Sequence, residues 1–187
     1  MADVFTQRRN SSMDFDEVYF WTDTIKDWKN LLNKDKYKQL IIDVWKDLVD
    51  KGLIKVYAFV IMPNHLHVVW ELLELNGKEK PHASFNKATS HEMVKDLKLR
   101  HPQVLLYFKS RNDQRDRSHR IWQRDPLAIL MDSQKKVEQK IDYIHDNPLQ
   151  EKWNLAQYPE DYFWSSASFY SGDIDPFHFL THYRERF

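Results

Sequence analysis

Leu53-Ile54-Lys55-Val56-Tyr57-Ala58-Phe59-Val60-Ile61-Met62, followed by Pro63-Asn64 and then His65-Leu66-His67-Val68-Val69-Trp70-Glu71-Leu72-Leu73, is the stretch that decides the fold. It holds two runs of β-branched, aliphatic and aromatic residues, the composition of strands that fit a pleated surface. Pro-Asn between them is a tight-turn signal. The reading is an antiparallel pair, with strands over 53–62 and 65–73.

Working outward, Glu17-Val18-Tyr19-Phe20-Trp21-Thr22 reads as an earlier strand. Between it and the hairpin, Tyr37, Leu40, Ile41, Val44, Trp45 and Leu48 recur at i, i+3, i+4, i+7, i+8 and i+11. That apolar stripe predicts a helix over 34–51, stopped by Gly52. After the hairpin come a polar loop over 74–81 and a second helix over 83–100, ended before Pro102. The charged stretch 109–120 reads as a flexible loop, Arg120-Ile121-Trp122-Gln123 as a short strand, and 133–147 as a third helix closed by Pro148. The tail from 150 is aromatic and irregular. This order predicts an α+β domain, an antiparallel sheet with helices packed on it. Residues 1–15 are expected to form an arm, 16–171 the single domain and 172–187 a C-terminal tail.

Composition narrows the class. Eleven Phe, nine Tyr and seven Trp with only three Gly supply a real core. No cysteine is present, which excludes disulfides and thiolate metal sites and leaves His, Asp, Glu, Asn and Gln as ligands. Twenty-eight basic residues balance 28 acidic ones, which argues mildly against a chain that coats nucleic acid non-specifically and leaves a local basic surface open. There is no apolar signal core and no run of membrane-spanning length. A cytoplasmic protein without membrane contact is expected.

In the third strand, alternation sends Leu66, Val68, Trp70 and Leu72 to one face and His65 and His67 to the other. Two imidazoles at i and i+2 can share one divalent metal; they can equally be polar residues on a solvated face. In the third helix Val137, Ile141 and Ile144 form the buried stripe. Tyr143 lies about 100° from Ile144 and is off that stripe, and Asn147, at i+4, shares its face. Tyr143 can be a rim residue, or a nucleophile that needs activation. Asn147 can complete a ligand set with His65 and His67, and two His with one neutral oxygen and open positions suit Mg²⁺ or Mn²⁺ bound with a phosphate.

Three segments in order carry a resemblance: Tyr57-Ala58-Phe59-Val60-Ile61-Met62-Pro63-Asn64-His65-Leu66-His67, Tyr143-Ile144-His145-Asp146-Asn147-Pro148, and Pro159-Glu160-Asp161-Tyr162-Phe163-Trp164-Ser165-Ser166. Over residues 16–171 the chain resembles the HUH single-tyrosine transposases, and within them the REP-associated tyrosine transposases. The resemblance implies a ferredoxin-like sheet, a homodimer, a divalent metal on His65, His67 and Asn147, and a Tyr143 that attacks single-stranded DNA to leave a 5′-phosphotyrosine and a 3′-hydroxyl. A hairpin or palindromic repeat is the expected target.

DNA contacts are expected at Lys87, where the family has a basic residue, and at Arg120, at the end of a stretch with five Lys/Arg against two Asp. Trp122, Gln123 and Trp164 can contact or stack on bases, or can fill core and dimer contacts. The competing readings are a DNA-hairpin-binding relative without chemistry, a metal-dependent hydrolase that uses water, and an RNA-binding sheet.

Overall fold

The backbone amide of Met62 donates to the carbonyl of His65 at 2.8 Å and closes the Pro63-Asn64 turn between two paired strands. Around this hairpin the computed structural model describes residues 12–109, 119–124, 126–172 and 175–187. Residues 1–11 of the expected arm, 110–118 of the expected flexible loop, Asp125, and 173–174 of the expected tail lie outside the described residues.

The elements are β1 (Val18–Thr24), α1 (Asp35–Asp50), β2 (Ile54–Ile61), β3 (His65–Leu72), α2 (Pro81–Arg100), α3 (Pro102–Leu105), β4 (Leu127–Leu130), α4 (Gln134–Asp146) and α5 (Ala167–Tyr170), with short 3₁₀ turns between. The sheet order is β2-β3-β1-β4 and every neighbouring pair is antiparallel. With the order βαββαβ through β4, this is the ferredoxin-like arrangement expected from the resemblance.

Both faces of the sheet are covered, which is why β2 and β3 read as near-continuous apolar runs. On one face Trp21, Phe59, Ile61, Leu66, Val68 and Trp70 pack with Ile41, Trp45, Leu48, Phe85, Met93 and Leu97 of α1 and α2. On the other, Val18, Phe20, Tyr57, Ala58, Val60 and Val69 pack with Val137, Ile141 and Ile144 of α4. The register of β2 against β3 shifts between Val56 and Ala58. The bulge explains how Tyr57 and Ala58 both join the α4 side while Val56 and Phe59 join the other.

The fourth strand differs from expectation. Residues 120–123 contribute only an isolated bridge, Trp122 with Ile25, and the paired strand is Leu127–Leu130. Trp122 is drawn into the core, where its ring lies 6.1 Å from Phe85 and its Nε1 donates to Thr89 Oγ1 at 2.9 Å. Pro126, with no N–H to pair, sits just ahead of the strand. The tail is irregular, as expected, yet it packs. The amides of Ile61, Ser166 and Thr181 bond to the carbonyls of Trp164, Phe59 and Val56, so the outer edge of β2 is covered. Phe177 and Phe179 enter the core. Among the described residues no helix is long and apolar enough to cross a membrane.

Asp23 is buried between β1 and α2, where it accepts from the Thr24 amide at 2.9 Å and from Asn86 Nδ2 at 2.8 Å. Burial pushes its carboxyl up to about 7. The unfolded carboxyl titrates near ~3.9, so the folded state keeps a proton that the unfolded chain releases. The stabilisation is full below pH ~4 and is lost as pH rises through about 7. Wild type should therefore lose roughly 2–3 kcal/mol between pH 5 and pH 8 relative to Asp23→Asn. Urea unfolding at the two pH values measures this; parallel pH slopes would contradict it.

Candidate active site

His65 and His67 extend from β3 on the face that α4 covers, opposite Thr24 and Thr22 of β1. They are not on a solvated face, because only 6% and 5% of their surfaces are exposed. Their rings stand 4.8 Å apart. Each Nδ1 is occupied: that of His65 meets Asn64 Oδ1 at 2.7 Å, and that of His67 meets Thr22 Oγ1 at 2.7 Å. Asn64 Nδ2 donates to the Trp28 carbonyl at 3.2 Å, which fixes Oδ1 toward the imidazole. The His65 Nδ1–H therefore donates, and its Nε2 keeps a lone pair. His67 Nε2 is buried and has no hydrogen-bond partner among the described residues.

The environment keeps both rings neutral. Burial, and secondarily the charge of Lys152, lowers His65 to about 4 against a smaller opposing contribution from the Asn147 side chain. Burial pushes His67 well below its usual value, with further lowering from His65, Lys140 and Lys152. Neutral imidazole is the form that binds metals. Second partners on Nδ1 that orient each ring are what ligating histidines have.

Helix α4 brings the tyrosine. Val137, Ile141 and Ile144 are its buried stripe, as the periodicity predicts. Tyr143 projects off that stripe, 42% exposed, with its ring 5.3 Å from His67 and 6.0 Å from Phe20. Lys140, one turn earlier, holds its ammonium 5.2 Å from the Tyr143 ring centroid and 4.7 Å from that of Phe20. Asn147 ends the helix as its C-cap, 2% exposed, and its Nδ2 has no partner among the described residues. His65, His67, Tyr143 and Asn147 are thus assembled from one chain. Among the described residues no three of His, Cys, Asp and Glu cluster as a metal site. Two amides touch His65: Asn64 is already engaged through Oδ1 with Nδ1, which leaves Asn147 as a neutral oxygen donor within reach of the pair. Two buried, oriented imidazoles, one with a bare nitrogen, fit a divalent metal.

Four of the five residues expected to contact DNA come together elsewhere. Lys87, Arg120, Trp122 and Gln123 line an open groove of about 1520 Å³ between α2 and residues 119–124, with Lys95, Lys98 and Arg124. Trp122 is only 4% exposed, so it forms the floor and offers no open face for stacking. Lys87 pairs with Glu79 at 2.9 Å. Trp164 is away from the groove, beside the outer edge of β2, with Lys38 Nζ 5.4 Å from its ring. The groove and the histidines lie at the same end of β1. The Gln123 amide donates to the Thr24 carbonyl at 2.7 Å, and Thr24 is the strand partner of His65.

Sequence reading passed over Thr22, Asn64, Lys140 and Lys152. Lys140 was accessible as the i−3 neighbour of Tyr143. Thr22 was not, because its role depends on the β1–β3 register.

No family model matches the chain, and no curated protein matches it. Among solved structures it is similar to a REP-associated tyrosine transposase bound to a REP hairpin. The identity is 17%, the match covers 92% of this chain and 90% of that one, and the TM-score is 0.61. At that identity the similarity is one of fold.

Thr22→Val removes the one hydrogen bond of a buried imidazole and should cost about 1–3 kcal/mol. Tyr143→Phe removes a hydroxyl at an exposed rim and should change stability by less than about 0.5 kcal/mol. Chemical denaturation of the two variants distinguishes them, and equal effects would contradict the assignment of their environments.

Proposed function

We propose that this protein is a metal-dependent, single-tyrosine DNA strand transferase that cleaves and rejoins single-stranded DNA beside a hairpin or repeat. The observation that carries this reading is the packing of the Tyr143 ring 5.3 Å from His67, whose Nε2 is buried without a partner among the described residues. A lone buried imidazole nitrogen costs stability unless something binds it. A half-exposed tyrosine beside it is placed to meet a phosphodiester.

His65, His67 and Asn147 would hold Mg²⁺ or Mn²⁺, which when bound polarises a phosphoryl oxygen as a Lewis acid. Tyr143 Oη attacks phosphorus, the bond to the 3′-oxygen breaks, and a 5′-phosphotyrosine forms. The departing 3′-oxygen gains a proton and the phenol loses one to solvent. Lys140 and Lys152, whose charges already act on the histidines, favour the negative charge of the phosphoryl group. The covalent link conserves the phosphodiester energy, so a second 3′-hydroxyl reverses the step without a nucleotide cofactor. All four site residues come from one chain, so a homodimer, if formed, need not exchange helices to complete the chemistry. A DNA substrate accords with a cytoplasmic protein.

The groove supplies the second part of the reading. Its lining carries five Lys/Arg against Glu79, which gives a neutral chain a local basic track for phosphates. Lys87→Ala and Arg120→Ala should each weaken hairpin binding at low salt and reduce the slope of log K against log salt by about 0.7–0.9. Titrations at several salt concentrations test this; unchanged slopes would remove the groove from the DNA path.

The chemistry is tested with labelled hairpin DNA carrying single-stranded flanks, with and without Mg²⁺ or Mn²⁺, on a denaturing gel. A metal-dependent covalent adduct should form with wild type and be absent in Tyr143→Phe and His67→Ala. Binding without an adduct would make the protein a hairpin-binding relative, and cleavage that survives Tyr143→Phe would make it a hydrolase.

A further inference from the structure

The turn after β1 contains two successive non-glycine residues in left-handed backbone, Asp27 (φ 56°, ψ 29°) and Trp28 (φ 56°). That conformation is disfavoured for L residues, and most strongly for bulky ones. It persists because the turn is tied down. The Trp28 amide donates to the Ile25 carbonyl at 2.9 Å, Asn64 Nδ2 donates to the Trp28 carbonyl, and Lys26 Nζ donates to the Lys109 carbonyl at 2.7 Å. The restraint does not serve the core, because it pushes the Trp28 side chain outward to 57% exposure. The ring stands 6.2 Å from His65. Nearby, Tyr107 is 62% exposed with Lys29 Nζ 4.6 Å from its ring centroid, and its carbonyl accepts from Lys26 Nζ at 3.3 Å.

We propose that Trp28 is a stacking platform for an unpaired nucleobase next to the phosphodiester at the histidine pair, with Tyr107 and Lys29 as a second station for the neighbouring nucleotide. The proposal rests on the single-stranded DNA reading above and adds the residues that hold the strand. An open aromatic face close to a cation suits a base and its phosphate, and base faces are free only where DNA is unpaired. The position also makes a continuous path. The Lys26 amide donates to the Ile121 carbonyl at 2.7 Å, so the turn borders the wall of the basic groove. Asn64 links the two functions, since one amide orients His65 and holds the backbone of Trp28.

The test uses the full chain and two fluorescent hairpins with the same stem, one blunt and one with single-stranded flanks, followed by anisotropy. Trp28→Ala and Trp28→Gly should bind the flanked hairpin about tenfold or more weakly and the blunt one as wild type does. Trp28→Phe should keep most of the affinity. Trp28→Gly should melt no lower than wild type, because glycine accepts positive φ freely, so lost binding is not lost folding. An abasic site in the flank should reproduce the loss in wild type and cost Trp28→Ala nothing further. Wild-type affinity in Trp28→Ala, or equal losses on both hairpins, would overturn the proposal and leave the strand-transferase reading standing. No binding of either hairpin by wild type would overturn both.

Discussion

The burial of two imidazoles between β3 and α4 is the constraint on which the rest of the site depends. Each ring gives up water, and each recovers one hydrogen bond through Nδ1, to Asn64 or Thr22. That leaves the Nε2 of His67, like the Nδ2 of Asn147, without a hydrogen-bond partner among the described residues. The arrangement holds only because α4 is pressed onto the sheet by Val137, Ile141 and Ile144. The same three contacts fix the height and rotation at which Tyr143 meets His67. Packing, desolvation and the placement of Tyr143 are therefore one event.

Other parts of the chain serve that event at a distance. The β2 bulge turns two successive residues toward α4 and so widens the apolar bed beneath it. The tail runs along the outer edge of β2 and returns to α4, where Tyr183 Oη donates to Glu138 at 2.7 Å. On the opposite face, α1 and α2 supply the larger core and leave the outer side of α2 free to form one wall of the basic groove. A chain with no net charge thereby carries a group of basic side chains beside a neutral pair of buried imidazoles.

Most of the fold was legible in the sequence. The hairpin, the stripe of α1 and the stripe of α4 follow from periods of 2 and 3.6 residues, and the pairing of His65 with His67 follows from strand alternation. The fourth strand was misplaced because Arg120-Ile121-Trp122-Gln123 has strand composition, while Leu127–Leu130 is short and only partly buried. Tertiary packing of Trp122 decided between them, and local propensity could not. The grouping of Lys87, Arg120 and Gln123 was legible as charge and polarity but not as a shared groove, because their approach depends on how 119–124 joins the end of β1. The hydration of the histidines was the chief misjudgement available to a local reading. Alternation gives the face a residue points to, and only the docking of α4 makes that face an interior.

The central claim, that this geometry makes Tyr143 a nucleophile toward DNA, is tested most directly by peptide mapping. The protein would be incubated with Mn²⁺ and a hairpin oligonucleotide bearing single-stranded flanks, digested, and analysed by mass spectrometry for nucleotide-modified peptides. The account predicts a 5′-linked nucleotide on the peptide that contains Tyr143 and on no other tyrosine. Cleaved DNA with no modified peptide, or a nucleotide on a different residue, would contradict it.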